Sequence, residues 1–300
     1  MDGISDDGEH AITLIAFIGS VFSPYYAWQR RASRRRGGSS AGAVPERHCA
    51  LNVAVYSPKR KRWAMTERGQ HALTRASDRL VIGPSSLVWD GTTLCIRFDE
   101  VTVPLPSRLR GEIRLTPMTM PGQTFSLDSR GRHRWTPFAP SARIEVDLAR
   151  PELSWTGGGY WDGNRGDEPL EDRFKTWDWS RTRLNDGSSV ILYETNGKQA
   201  ADNSLFALHF DSAGGHRPIE VPERVALERT RWGLDRGTRA ENGEASVHAT
   251  LEDTPFYSRS LIETRLAGER VTAMHESLSL ERFRMPLVQC MLPFRMPLWR

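Results

Sequence analysis

Disulfide and zinc chemistry have little to work with in this chain. Its three cysteines, Cys49, Cys95 and Cys290, are odd in number and widely spaced, which argues against a disulfide framework or a zinc ribbon and fits a reducing compartment. Nucleotide chemistry is equally unprovided for. No Gly-x-Gly-x-x-Gly follows a strand pattern, and no phosphate loop ends in Gly-Lys-Ser/Thr. The eight histidines are scattered, and none stands in His-Glu-x-x-His. His48 adjoins Cys49, but neighbours on a strand face opposite ways and make a poor metal pair. His133 and His275 read as structural histidines. The expectation is no cofactor and no metal.

Long apolar runs and helical patterns are scarce too. Residues 11–22 are mostly apolar but number only 12, whereas a helix needs about 20 to cross a bilayer; they read as a pair of buried strands. The first ten residues are acidic, unlike a secretory signal. Residues 67–80 have room for one short helix, and residues 33–45, rich in Arg, Gly, Ser and Ala, read as a flexible loop. Pro286, Pro293 and Pro297 rule out a continuous helix through 283–300. Net charge is low, +4 from 41 basic and 37 acidic residues. The basic residues cluster at Arg30, Arg31, Arg34, Arg35 and Arg36, and again at Lys59, Arg60, Lys61 and Arg62. Each cluster fits either an anion-seeking surface or a solvated loop.

What is present is period-two patterning in a chain with 38% hydrophobic residues, enough for a packed core. Ala142-Arg143-Ile144-Glu145-Val146-Asp147-Leu148 alternates apolar and charged without a fault, the mark of a strand with one face in a core and one in water. Residues 189–194, 205–210 and 246–251 are further strand candidates. Between such runs stand Asp90-Gly91, Asp186-Gly187, Asn196-Gly197, Asn242-Gly243 and Ala267-Gly268. Gly after Asn or Asp supplies the positive φ that tight hairpins need. The fold class is all-β, with antiparallel strands in meander order closing a barrel or sandwich.

The segment Trp155-Thr-Gly-Gly-Gly-Tyr-Trp-Asp-Gly-Asn-Arg-Gly166 stands apart. Glycines let a backbone approach other groups closely. Strand alternation sends Tyr160 and Asp162 to one face and Trp161 to the other. A carboxyl among aromatic rings is poorly solvated, so its pKa is expected to rise, and a carboxylic acid kept protonated at neutral pH is a proton donor. The same residues also fit a plain turn at Asp162-Gly163-Asn164 with Tyr160 and Trp161 in the core, and composition alone favours the turn.

Several strings resemble the carotenoid 1,2-hydratase family of the hydroxyneurosporene synthase type. They are Ile12-Thr-Leu-Ile-Ala-Phe-Ile-Gly-Ser-Val-Phe-Ser-Pro-Tyr-Tyr26, Arg62-Trp-Ala-Met-Thr-Glu-Arg68, Ile82-Gly-Pro-Ser-Ser86, Gly131-Arg-His-Arg-Trp135, Gly159-Tyr-Trp-Asp-Gly-Asn-Arg-Gly166 and Met291-Leu-Pro-Phe-Arg-Met-Pro297. The likeness runs from about Gly8 to the end. It implies two lipocalin-like antiparallel β-barrel or sandwich domains, residues 1–165 and 166–300, with the motif at their junction. Family members usually carry upstream sequence, so the first barrel is expected to lack its N-terminal strand and to leave a sheet edge unpaired.

The resemblance further implies a hydro-lyase that adds water, without a cofactor, to the terminal double bond of an acyclic carotenoid such as neurosporene or lycopene, giving a tertiary alcohol. It places Asp162, Tyr160 and Trp135 at the active site. An alkene is a weak base, so the hard step is protonation; Asp162 is the candidate acid, and the rings of Tyr160 and Trp135 face the resulting cation. The partners implied are the carotenoid and water. Because the substrate dissolves in membrane, peripheral contact on the cytoplasmic side of a bacterial photosynthetic membrane is expected, with the Arg30–Arg36 cluster and residues 290–299 as contacts. A lipocalin-like binder of apolar ligands, without catalysis, is the main rival. A nucleic-acid partner is disfavoured by the low net charge.

Overall fold

The alternating pattern becomes strands almost throughout. The structure, a computed structural model, describes residues 1–35, 43–58 and 60–299. The early strands are β1 (Asp2–Ser5), β2 (Ala11–Ile18), β3 (Cys49–Ser57), β4 (Arg60–Arg68), β5 (Leu73–Arg75) and β6 (Arg79–Ile82). Next come β7 (Ser85–Trp89), β8 (Leu94–Val101), β9 (Arg108–Pro117), β10 (Phe125–Ser126), and the long β11 (His133–Arg150) and β12 (Glu152–Gly166). There follow β13 (Phe174–Arg183), β14 (Ser189–Gly197), β15 (Ser204–Phe210), β16 (His216–Pro218), β17 (Glu223–Leu227) and β18 (Arg236–Ala240). The last are β19 (Ala245–Asp253), β20 (Tyr257–Leu266), β21 (Glu269–Ser279) and the short β22 (Leu298–Trp299). Among the described residues the α-helices that interrupt them are α1 (Pro24–Arg35), α2 (Leu170–Arg173), α3 (Leu280–Phe283) and α4 (Pro286–Arg295). Among the described residues no helix is long and apolar enough to cross a membrane.

The strongest sequence signals hold residue by residue. In β11, Ala142, Ile144, Val146 and Leu148 are buried while Arg143, Glu145 and Asp147 are exposed. Asp90 Oδ1 accepts the backbone N–H groups of Thr92 and Thr93 at 2.9 and 2.7 Å, closing the β7–β8 turn. At Ala267-Gly268 both residues have positive φ, 52° and 80°, the backbone of a two-residue hairpin joining β20 and β21.

Other expectations are corrected. Residues 11–22 form one strand, β2, and not a pair: Gly19 turns the chain with φ 69°, and Ser23 Oγ accepts the Tyr26 N–H at 2.9 Å as the cap of α1. That helix was legible as Ser-Pro at its first positions and arginines at its end. It takes in residues 33–35 of the expected loop; 36–42, including Arg36, lie outside the described residues, as does Lys59. Residues 67–80 hold only a turn of 3-10 helix at Gln70–Ala72 before pairing as β5 and β6. In the closing segment, Pro286 opens α4 where its missing N–H is harmless, and Pro293 lies within the helix, which ends two residues later at Arg295.

The chain divides into two compact units. Met1–Pro117, Ala142–Tyr160 and Gln289–Arg300 form one; Met118–Ser141 and Trp161–Val288 form the other. Where the sequence suggests one cut after Arg165, contacts divide the chain at several points, because β11 and β12 are long enough to contribute residues to both units.

In the first unit the strands lie in the order β22-β4-β3-β2-β1-β12-β11-β9-β8-β7-β6-β5. The unpaired edge expected at the N-terminus is not seen: β1 is internal, with Asp2 opposite Tyr160 of β12 and Thr13 of β2. Ile12, Leu14, Leu51, Ile96 and Ile113 are fully buried. In the second unit the order is β16-β15-β14-β13-β21-β20-β19, with β17 and β18 paired separately. Its core includes Leu184, Val190, Leu192, Ala207, Leu266 and Val271.

Gly157 shows why glycines precede the motif. Opposite Ser5, a Cβ there would lie 1.9 Å from the Ile4 carbonyl oxygen and 2.7 Å from Ser5 Cα. Gly157→Ala is therefore expected to push β1 from its register and cost about 1–3 kcal/mol, as overpacking does. Chemical denaturation checks this; an unchanged midpoint would contradict the close approach.

Candidate active site

The site is assembled from the start of β11. Asp128 gathers the chain there: its Oδ1 accepts the N–H groups of Arg130 and Arg132 at 2.8 and 3.3 Å, and its Oδ2 accepts that of His133 at 2.6 Å. Burial pulls the Asp128 pKa upward, but these N–H donors, with the His133 ring, outweigh it and hold the carboxyl below its ordinary value. The two His133 ring nitrogens face Asp128 Oδ2 at 3.2 Å and the Glu168 carbonyl at 3.1 Å, a structural role. His275 Nε2 lies 2.9 Å from the Gly237 carbonyl, and burial lowers its pKa.

Two residues after His133 comes Trp135, with 0% of its surface exposed. Its indole N–H donates to Asp162 Oδ2 at 3.1 Å. The donor lies in the plane of the ring, so Trp135 turns its edge, not its face, to the carboxyl. The ring is walled by Phe125 at 5.2 Å, by Tyr193 edge-on at 5.1 Å, and by Phe206 at 6.3 Å. Trp177 stands 5.1 Å beyond Tyr193.

β12 presents Asp162 by strict alternation. The strand runs on to Gly166, so the turn at Asp162-Gly163-Asn164 is not formed. On one side, Trp161 packs against Phe138 at 5.0 Å, and a Cβ on Gly163 would meet the same ring at 2.8 Å. On the other, Asp162 takes the Trp135 bond, and Asn164 Oδ1 accepts the Tyr193 hydroxyl at 3.1 Å. Burial first, then the charge of Glu276, push the Tyr193 phenol well above its ordinary pKa. Tyr193 therefore stays neutral and donates.

Of the three residues expected at the site, Trp135 and Asp162 are brought together by a hydrogen bond within the second unit. Tyr160 belongs to the first unit, is 1% exposed, and pairs with Asp2; it stands two residues before Asp162 on β12. Sequence reading missed Tyr193, Phe125, Phe206 and Trp177. Tyr193 lies in an expected strand, but nothing local singles it out. For metals, Asp7, Glu9 and His10 bring ligand atoms within 4.8 Å of one another, on an exposed turn; Asp7 is already held by Ser5 and the Glu9 N–H.

The β architecture is shared with solved proteins of very different sequence. Kievitone hydratase from Nectria haematococca superposes with a TM-score of 0.60 at 10% identity, covering 93% of this chain and 87% of that one. The family is narrower than the fold. The model of the carotenoid hydratase CrtC family matches residues 14–300, and the chain belongs to that family. The acyclic carotenoid 1,2-hydratase of Thiocapsa roseopersicina is 54% identical over 299 residues, 99% of this chain and 71% of that protein. That of Rubrivivax gelatinosus is 48% identical over 299 residues, 99% and 72% of the two chains.

Asp128→Asn tests the support beneath Trp135. A carboxyl whose folded pKa is depressed contributes stability above its unfolded value and loses it as pH falls through the folded one. The variant is expected to be less stable by about 1–3 kcal/mol near neutral pH, with the gap to wild type closing as pH drops below the ordinary carboxylate range. Urea midpoints across that pH series read it directly; a gap independent of pH would refute the charge-based account.

Proposed function

We propose that the chain adds water across the terminal carbon–carbon double bond of an acyclic carotenoid, with Asp162 as the proton donor. Family membership and relatives bearing the name acyclic carotenoid 1,2-hydratase support the reaction. The observation that carries the residue assignment is the Trp135 N–H···Asp162 bond inside an aromatic-walled site.

The chemistry needs no more than an acid, a cation-tolerant pocket and water. Protonated Asp162 gives its proton to the less substituted alkene carbon, and the π pair forms the new C–H bond. The positive charge settles on the tertiary carbon. Water adds there, and its surplus proton passes to the Asp162 carboxylate or to solvent, leaving a tertiary alcohol. Aromatic rings stabilise the cation by roughly 0.5–2 kcal/mol each, and fixed dipoles supply much of the rest. Tyr160, two positions from Asp162 on the same strand, faces the cation in this reading. Trp135 acts by holding one carboxyl oxygen, which orients the acid. Tyr193 acts one step further out, through Asn164.

The substrate is a membrane solute, so the chain works at a membrane surface. Arginines 30, 31, 34 and 35 all fall on α1. The 290–299 segment exposes Phe294 and Trp299 at 81% and 55%. Those features support peripheral contact.

Asp162→Asn preserves shape but carries no acidic proton. Incubated with neurosporene or lycopene in detergent, it is expected to lose about 10²–10⁴-fold in rate, read as the product that has gained one water by mass. Parental turnover would instead favour a carrier of apolar ligands. Tyr193→Phe keeps the ring and Trp135→Phe keeps an aromatic group, and both remove the donor. Each is expected to slow turnover by about tenfold, as loss of one hydrogen bond to a charged or polar group does, with smaller effects on KM.

A further inference from the structure

The first unit holds a cleft of about 590 Å³ that the hydration chemistry leaves unused, a volume typical of small-ligand sites. Its lining is of two kinds. Tyr25, Trp28 and Leu298 are aromatic or apolar, with the two rings edge to face at 5.6 Å. Arg47, His48 and His71 are basic or nitrogen-bearing, beside Gln29 and Gly69.

One polar group of the lining is firmly held. His48 is buried, its ring lies 4.9 Å from Tyr26, and the Arg30 guanidinium sits 4.5 Å over the same tyrosine. His48 Nδ1 meets Glu67 Oε1 at 2.6 Å, and its Nε2 meets Gln29 Oε1 at 2.6 Å. Glu67 is 0% exposed, and its second oxygen, Oε2, has no hydrogen-bond partner. A buried carboxylate committed to one histidine fixes that ring in the lining; with both His48 nitrogens engaged, Arg47 and His71 are the basic groups that meet a ligand.

Charge around the cleft is one-sided. Helix α1 carries Arg30, Arg31 and Arg35 and no acidic residue, and Arg47 adds to them. Against these stand Glu46 and the paired Glu67. Large apolar side chains adjoin the opening: Trp28 is 45% exposed, and Trp299 follows Leu298 with 55% exposure. Tyr25 ties α1 to the end of α4 through its hydroxyl, 3.2 Å from the Met296 carbonyl.

Basic groups and aromatic rings in one lining, with further arginines on the helix that contributes Tyr25 and Trp28, suit an anionic amphiphile. Arginine favours phosphate, which its fork meets with two parallel bonds. We propose that this cleft binds the phosphate headgroup of an anionic phospholipid, with the acyl chains leaving past Trp28 and Leu298. The inference rests on the reading that the chain works at a membrane. It deepens that reading, because diffuse Coulomb attraction holds a protein near a surface without orienting it, whereas one headgroup in a built cleft sets its orientation.

The test uses the full chain and soluble short-chain dihexanoyl-phosphatidylglycerol below its micelle concentration, titrated by calorimetry. Dihexanoyl-phosphatidylcholine, a short-chain fatty acid and inorganic phosphate run in parallel, and flotation on vesicles with and without phosphatidylglycerol reports membrane contact separately. Saturable binding of phosphatidylglycerol is expected, weakened about tenfold or more by Arg47→Glu and unchanged by Arg60→Glu, the same charge change elsewhere on the unit. Equal weakening by both variants would mean diffuse attraction and overturn the site. So would tighter binding of the fatty acid, or equal binding of inorganic phosphate. Flotation without binding of the soluble lipid would leave membrane contact standing and remove the cleft's role; binding without flotation would keep the cleft and remove membrane contact.

Discussion

β12 has to satisfy two faces at once, and the rest of the site follows from how it does so. Its residues point alternately, so a carboxylate at 162 and an aromatic ring at 161 cannot share an environment. Trp161 and Gly163 lie against Phe138, which leaves no room for a Cβ at 163. Asp162 and Asn164 are thereby turned to Trp135 and Tyr193. A shift by one residue would exchange the two sets and place the carboxyl against Phe138. The close contacts at Gly157 and Gly163 hold the register against such a slip.

Aromatic rings surround the Trp135 indole, which in turn directs its one donor at Asp162. The donor ends of these bonds, Trp135 and Tyr193, are buried, and that burial strengthens them, while Asp162 is half-buried and Asn164 exposed. The indole of Trp135 can only donate, so its meeting with a carboxyl oxygen has one polarity. Tyr193 is kept neutral chiefly by its burial, so it too is a donor, and Asn164 accepts from it. The support extends backward to Asp128, whose carboxylate gathers three N–H groups and a ring just before Trp135. One acid thus anchors the strand that aims at another.

The period-two signal made the architecture readable. Alternation at 142–148 and the Asp-Gly and Asn-Gly turns identified strands and hairpins because each rests on neighbours within a few residues. The errors came where local pattern was weak or tertiary pairing intervened. Residues 67–80 look helical by spacing yet pair as β5 and β6. Residues 11–22 look like two strands, but Gly19 and the Ser23 cap divert the chain into α1.

By itself the sequence determined the all-β class, the family likeness, and the face on which Asp162 stands, since alternation and turn chemistry act over a few bonds. Only the tertiary structure decided that Trp135, 27 residues upstream, meets Asp162 by its N–H edge and not by its ring face. It also brought Tyr193, Phe125 and Phe206 around that indole, and set His48 against the wholly buried Glu67. Those meetings depend on which strands pair and in what register, and on side-chain directions across a sheet, which no local stretch of chain encodes.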